Sequence, residues 1–514
     1  MKKILLVYPQ CSSATNPVQA SDDVLFDIFK KIPFADAALP TIAALTSEDF
    51  AVRIVDERIE KIDFEEPCDI VGITGMITQR MRAREIAREF AKRGRFVVCG
   101  GPDASISPEE WFDVGNTLVI GEAEYTWPEF LSDYLAARPR NVYRQSRPVD
   151  LKDTPRPRYD LLKTSKYLGA TVERTRGCPF ACSFCDVKLY RGPGIRHKPV
   201  ENIIQELDTL YRLGHNGFFI ADDNFTGRIG HAKQLLREIL KWYQTIGDSV
   251  YFTTQIAITA AKDDELLNLM ANAGVTRVLV GIESPNKKTL EEASKFHNMK
   301  SDLREDIAKI QSYGILVMPS TIVGFDNDDV DVFEEHEAYF SGRGLPLNAP
   351  LILEATKGTD FTARMAEEGR LLDKFKKLHL FERGLSSDDL SQFSFEPKMG
   401  ILPLLDGYRR YIARIFSSDY YLEESRLLLA QLGDAKTPIP TPKVKAKDIV
   451  DLTRLLLFYF RLDKNQKKVW LELFQLGRKS RNGHASLTTM HLMTSYYGFS
   501  EYLKALPERR SLTA

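Results

Sequence analysis

Five short apolar runs punctuate the first 122 residues: "KILLVYP", "VRIVDE", "DIVGITGM", "RFVVCGG" and "TLVIGE". Helical spacing fills the chain between them, the order expected of a parallel sheet joined by crossover helices. The clearest helix, "QRMRAREIAREFAKRG", is expected to stop at Gly94, where glycine accepts a left-handed cap. Ligands of such open sheets sit beyond the carboxyl ends of the strands. Those ends carry Tyr8 and Pro9, then Asp56, then Thr74, Gly75 and Met76, then Gly100, Gly101 and Pro102, and finally Gly121 with Glu122. Paired glycines at 100 and 101 let a flat ligand approach the backbone closely. No G-x-G-x-x-G follows the first run, which argues against a nicotinamide or flavin dinucleotide.

A Pro- and Arg-rich stretch over residues 138–165 reads as a linker. Beyond it, a helical run ends at glycine and leads directly into a strand in "LYRLGHNGFFIADDN", "LMANAGVTRVLVGIES" and "IQSYGILVMPSTIVGF". That is the order of a barrel of βα units, whose chemistry lies at the strands' C-terminal ends. Strands are expected near residues 172–177, 217–222, 250–256, 277–282, 315–323 and 349–354. Six units in about 190 residues fall short of a closed eight-stranded barrel, so an open, partial (β/α)6 barrel is predicted. From residue 361 the pattern turns helical and aromatic, as in "DLTRLLLFYFRL" and "MHLMTSYYGFSEYLKAL". The expected division is an α/β chain: a Rossmann-like domain over 1–137, a linker over 138–165, the partial barrel over 166–360 and a mainly helical domain over 361–514.

Composition narrows the class. With 43% apolar and 27% charged residues the chain is ordinary for a soluble globular protein. The opening "MKKILLVYPQ" stops at Pro9 with no small-residue cleavage site and reads as a strand, and no segment approaches the ~18 uninterrupted apolar residues of a spanning helix. A cytoplasmic protein is the expectation. A net charge of −1 argues against nucleic-acid binding. Residues 441–514 nevertheless hold 14 Lys and Arg against 6 Asp and Glu. Such a tail suits peripheral contact with a membrane or an anionic substrate, its plainer reading being a solvated basic face.

Six cysteines in 514 residues are not a disulfide framework, yet three stand together at 178, 182 and 185 in "RTRGCPFACSFCDVKLYRGPG". Soft thiolates favour zinc or iron–sulfur clusters. A structural zinc site needs four protein ligands; here His197 lies twelve residues on, and Cys11, Cys68 and Cys99 occur singly elsewhere. Three ligands to a four-iron cluster leave one iron open to an exogenous molecule.

This loop resembles that of the radical S-adenosylmethionine enzymes, whose CxxxCxxC, with an aromatic before the last cysteine, is matched by Cys178, Cys182, Phe184 and Cys185. The resemblance implies a [4Fe-4S] cluster whose open iron chelates S-adenosylmethionine, and cleavage of that molecule to a 5′-deoxyadenosyl radical. It further implies that Asp222, Asp223 and Asn224 in "ADDNF" hold the methionyl amine, with aspartates replacing the family's usual glycines. Glu283 in "VGIES" corresponds to the ribose-binding position, Gln255 assists, and Gly324 in "STIVGF" passes the adenine.

The first domain looks like the cobalamin-binding domain of one branch of that family, on "VGITGMITQ", "CGGP" and "GEAEYT". The implied cobalamin site is Tyr8, Pro9, Thr74, Gly75, Met76, Gly100, Gly101, Pro102, Gly121 and Glu122. The D-x-H-x-x-G loop is missing and no histidine precedes His197, which leaves Gln10 or a water as the nearest lower ligand for cobalt. "PRPRYDLL", "FIADDNFTG" and "KIQSYGILVMPSTIVGFD" are similar to the hopanoid C-2 methylase-like group. The implied activity is methylation of an unactivated carbon, of a lipid or isoprenoid, with an external electron donor such as flavodoxin or ferredoxin and no indispensable general base. Two alternatives stay open: oxidative cyclisation or rearrangement by the same radical, and a non-catalytic iron–sulfur redox protein.

Overall fold

The computed structural model describes residues 1–11, 24–300, 302–372, 393–479 and 484–505. In chain order its strands are β1 (Lys2–Tyr8), β2 (Ile32–Ala35), β3 (Phe50–Asp56), β4 (Ile70–Thr74), β5 (Phe96–Gly100), β6 (Thr117–Ile120), β7 (Val142–Arg144) and β8 (Tyr167–Val172). There follow β9 (Thr175–Arg176), β10 (Arg196–His197), β11 (Gly217–Ile220), β12 (Tyr251–Ile256), β13 (Val275–Glu283), β14 (Leu316–Val323) and β15 (Ala349–Ile352).

Six strands run parallel in the order β3-β1-β4-β5-β6-β7. Their apolar runs are continuous because both faces are covered. Leu5, Val7, Val71, Ile73 and Val97 meet Ile86 and Phe90 of the helix Arg80–Lys92. Ile4, Leu6, Ile70 and Val98 meet Trp127 and Phe130 of the helix Ala123–Leu135. The helix after β4 ends as expected, with Gly94 at φ +70°. One strand was not expected: β7 comes from the Pro- and Arg-rich stretch read as a linker. Its three residues show no period of their own, and the buried Tyr143 secures them by packing edge-on against Phe130, ring centroids 5.6 Å apart.

The second sheet has seven parallel strands in the order β15-β14-β13-β12-β11-β8-β2, open between β15 and β2. It is a half-barrel of βα units, wrapped by the helices Val200–Arg212, Ile229–Ile246, Asp264–Asn272 and Leu303–Gln311. Gly274 shows why glycine stands between helix and strand: its φ is +85°, and a Cβ there would lie 2.2 Å from the Val250 carbonyl oxygen. Two expectations are corrected. The first strand is Tyr167–Val172, not 172–177; the "ERTR" beyond it turns out to be a turn and a clasp. The seventh strand, β2, comes from residues 32–35, where Pro33 and the short length hide a strand that pairs with Tyr167, Gly169 and Ala170.

Described residues from 401 onward form the helices Ile401–Ile415, Ser418–Gly433, Ala446–Phe458, Lys464–Lys479 and Ala485–Ala505. Tyr408, Tyr421, Trp470, Leu492 and Tyr496 share one core with Leu316 and Val323 of β14. The last helix lies against the N-terminal end of the half-barrel, where the His484 ring nitrogen Nε2 and the Gly314 carbonyl are 3.1 Å apart. Among the described residues no helix is long and apolar enough to cross a membrane.

Candidate active site between the two sheets

After β8 the chain turns, and β9 and β10 pair antiparallel to clasp the loop that carries the three cysteines. The residues ending β11 fix its start. Asp222 is fully buried and spends both oxygens: it accepts from the backbone N–H of Arg174 (3.0 Å) and Thr175 (2.8 Å) and from Arg174 Nε (2.7 Å). Its carboxylate is a strut for the loop and has no face left for a methionyl amine. Asp223 accepts from the Gly177 N–H at 2.7 Å, directly before the first cysteine. Asn224 accepts from Thr226 and from the Ala257 N–H, while its Nδ2 stands 3.9 Å from the Cys178 sulfur. The far side of the loop is anchored on residues 292–297. Ser183 donates its N–H to the Ala293 carbonyl (3.0 Å), and Phe180 stacks on His297 with centroids 3.6 Å apart. Phe184 meets Phe325 edge-on at 5.9 Å.

Cys178, Cys182 and Cys185 are free thiols, each half-buried. Burial pushes all three up, Cys185 to about 12, and Cys182 and Cys185 are raised further by the neighbouring thiols. Desolvated, mutually repelling thiolates need a strong positive partner to ionise. Among the described residues no three His, Cys, Asp or Glu side chains converge on a single metal ion. Three soft donors spread over one loop, without a fourth, fit a four-iron cluster better than zinc.

Glu283 ends β13 at φ +62°, a left-handed conformation rare for a residue with a side chain, beside a register shift between Gly281 and Glu283. The kink points its buried carboxylate at the Lys295 ammonium, with which it makes a close ion pair. Burial works against the charge on Lys295, and Glu283 with the thiols of Cys182 and Cys185 outweighs it. Lys295 therefore couples the cysteine loop to the strand end; no motif in "ASKFHN" marks it. Gln255 is exposed at the end of β12. Gly324 donates its N–H to the buried Asp328 carboxylate (2.8 Å), placing this turn beside β13. Glu354 is a second residue the sequence did not reveal. It follows β15, is half-buried, accepts at its backbone carbonyl from the Thr356 N–H (3.1 Å), and burial pushes its carboxyl up to about 8.

A cavity of about 290 Å³ opens between the two sheets. Gly72, Thr74, Gly100, Gly101 and Gly121 form its floor, and Thr171, Tyr190 and Arg191 of the half-barrel face them. Gly101 has φ +97°, and a Cβ there would lie 2.4 Å from Thr74 Oγ1. Pro102 and Glu122 also line this space, but Tyr8, Pro9, Gly75 and Met76 do not. The Tyr8 ring instead carries the Arg58 guanidinium 4.3 Å from its centroid, and the Pro9 carbonyl accepts from Gln79. Gln10 is exposed and donates its N–H to Glu57, outside the cavity. Glu122 is spent between domains: its carboxylate accepts from Arg176 (2.9 Å), Arg196 (2.7 and 2.9 Å), Gln145 and the Val149 N–H. Burial alone would raise Glu122, but Arg196 and Arg176 hold it below the usual carboxylate range. A glycine floor under an open cavity fits a large flat ring; no histidine lines it.

Comparison with known proteins agrees with this geometry. Residues 172–340 match the radical SAM superfamily, and residues 359–510 match a family described as a domain of unknown function. An uncharacterized methyltransferase of Synechocystis is 28% identical over 89% of this chain and 84% of its own. The hopanoid C-2 methylase of Rhodopseudomonas palustris is 30% identical over 72% of this chain and 71% of its own. Among solved structures, the cobalamin-dependent S-adenosylmethionine radical enzyme OxsB, with aqua-cobalamin and S-adenosylmethionine bound, superposes with a TM-score of 0.61. That match covers 98% of this chain and 80% of OxsB at 15% identity, a likeness of fold. A cysteine loop at the mouth of a half-barrel, a glycine-floored cavity facing it and a relative this similar along most of both chains lead to one assignment: the chain belongs to the cobalamin-dependent radical S-adenosylmethionine enzymes, in the group that includes hopanoid C-2 methylase.

Proposed function

We propose that the protein methylates an unactivated carbon of an apolar small molecule, a lipid or isoprenoid, using a [4Fe-4S] cluster, S-adenosylmethionine and cobalamin. The observation that carries this reading is the placement of the cavity, walled on one side by the glycine-rich strand ends and on the other by the segment immediately after Cys185. When bound, these groups supply the radical that removes a hydrogen atom, the methyl group and the electrons, the last replenished by an external donor such as flavodoxin or ferredoxin.

The chain's own residues bind and orient. Cys178, Cys182 and Cys185 ligate the cluster. Glu283, with Gln255, accepts hydrogen bonds from ribose hydroxyls; Lys295 holds the Glu283 carboxylate in place. Asn224 and Asp223 remain the polar groups of the "ADDNF" turn available to the methionyl end, Asp222 being engaged below them. Phe184 and Gly324 shape the adenine side. Thr74, Gly100, Gly101, Pro102 and Gly121 give the cobalamin ring its floor. Glu122 acts one step back, locking Arg176 and Arg196 so that the two sheets keep a fixed distance. Removing one partner of such a buried pair costs about 3–5 kcal/mol, so the gap is held firmly.

The test is anaerobic reconstitution with S-adenosylmethionine carrying a deuterated methyl group, followed by mass spectrometry of lipids extracted from host cells lacking the gene. A product three mass units heavier than its unlabelled methylated form, found in the gene-intact strain, is expected. Deoxyadenosine released with no labelled product would contradict methyl transfer and favour a cyclisation or rearrangement.

A further inference from the structure

The helix Ala446–Phe458 is apolar on two opposite sides. Leu455 and Phe458 face inward and join the core of the helical region. Ile449 (60% exposed), Leu456 (56%), Leu457 (63%) and, in the turn that follows, Phe460 (75%) face outward over solvent. At 100° per residue the outward positions of the helix fall on one broad arc, opposite the buried pair. A helix apolar all round is normally enclosed, and an exposed apolar patch of this kind marks an interaction surface.

Charge says what kind. Residues 443–479 hold ten Lys and Arg against four Asp and Glu. All four acidic groups are engaged within the protein: Asp448 caps the Lys445 N–H at 2.7 Å, Asp451 pairs with Lys31 at 2.6 Å, and Asp463 pairs with Lys504 at 2.8 Å. The fourth, Glu472, pairs with Arg426 at 2.7 Å. Lys443 precedes the apolar arc, and Arg461, Lys464 and Lys468 follow it, all exposed. An apolar arc bracketed by cations, with its acids internally paired, complements an anionic bilayer: the apolar groups enter the acyl boundary while the cations meet lipid phosphates. A protein partner of ordinary composition gives no reason for that bracket.

We infer that the outward face of helix Ala446–Phe458, with Phe460, docks the protein on the surface of an anionic membrane. The surface is separate from the catalytic cavity, so the inference stands or falls independently of the methyl-transfer reading.

The experiment is flotation of the full chain with vesicles of phosphatidylcholine and phosphatidylglycerol at 7:3, against vesicles of pure phosphatidylcholine. The wild type should float with the anionic vesicles and much less with the neutral ones, and 0.5 M salt should release it. The double variant Leu457→Ser/Phe460→Ser should bind about tenfold or more weakly, as should Lys464→Glu/Lys468→Glu. All four positions are exposed, so both variants should keep the wild-type melting temperature and cluster content. No binding of the wild type, or equal binding by the variants, would overturn the inference. So would a wild-type dimer in light scattering that Leu457→Ser/Phe460→Ser converts to monomer, which would make a second copy the occupant.

Discussion

The two parallel sheets turn their carboxyl ends toward one space, yet they furnish it differently. The first sheet offers backbone: Gly72, Gly100, Gly101 and Gly121, with its acids Glu122 and Glu124 consumed by Arg176 and Arg196. The half-barrel offers side chains: Glu173, Arg176, Tyr190 and Arg191 line the cavity, and Asp223, Gln255, Glu283 and Glu354 end or follow its strands outside that lining. A broad, flat ring is recognised by shape, and close backbone approach serves that better than projecting groups. A small zwitterion with a ribose has few atoms and many polar ones, and needs a side chain for each.

The largest effect expected from breaking this contrast is at Gly101. Gly101→Val forces a branched side chain into φ +97° with its Cβ 2.4 Å from Thr74 Oγ1, so the floor must buckle. Cobalamin affinity of the reconstituted protein should fall about 100-fold, equivalent to about 2.7 kcal/mol, while iron and sulfide content stays at the wild-type level. Unchanged cobalamin binding would show that the glycine floor is not where the ring sits.

A smaller effect sharpens the other half. Burial pushes the Glu354 carboxyl up from 4.5 to about 8. In the unfolded chain it ionises near 4.5, so between pH 4.5 and 8 the folded state binds the extra proton and stability falls as pH rises. Glu354→Gln removes this dependence. The variant should melt with the wild type at pH 4 and a few degrees above it at pH 8. Parallel melting curves across that range would mean that Glu354 is already ionised and solvated in the folded protein.

What the sequence revealed was local. The cysteine spacing and the helix–glycine–strand rhythm are written in neighbouring residues, and both half-barrel and thiol loop follow from them. Strands β2 and β7 escaped because each is too short to show a period and gains its stability from partners far away in the chain, Tyr167 and Ala170 for one and Phe130 for the other. Strand-end position singles out turns but does not give the direction of each side chain. Asp222 and Asp223 are adjacent, yet one braces the loop from below and the other meets its first N–H. Tyr8 likewise stands at a strand end but lies under Arg58. Lys295 and Glu354 matter through what surrounds them, burial and a neighbouring charge, and no short motif records that.

The proposed chemistry turns on an iron atom that three thiolates leave open to S-adenosylmethionine. The most direct measurement is electron paramagnetic resonance of the anaerobically reconstituted, dithionite-reduced protein before and after S-adenosylmethionine is added. A [4Fe-4S]+ signal whose g values shift on addition is expected, with loss of that signal in Cys182→Ala. An unshifted spectrum, or a full signal in Cys182→Ala, would contradict it.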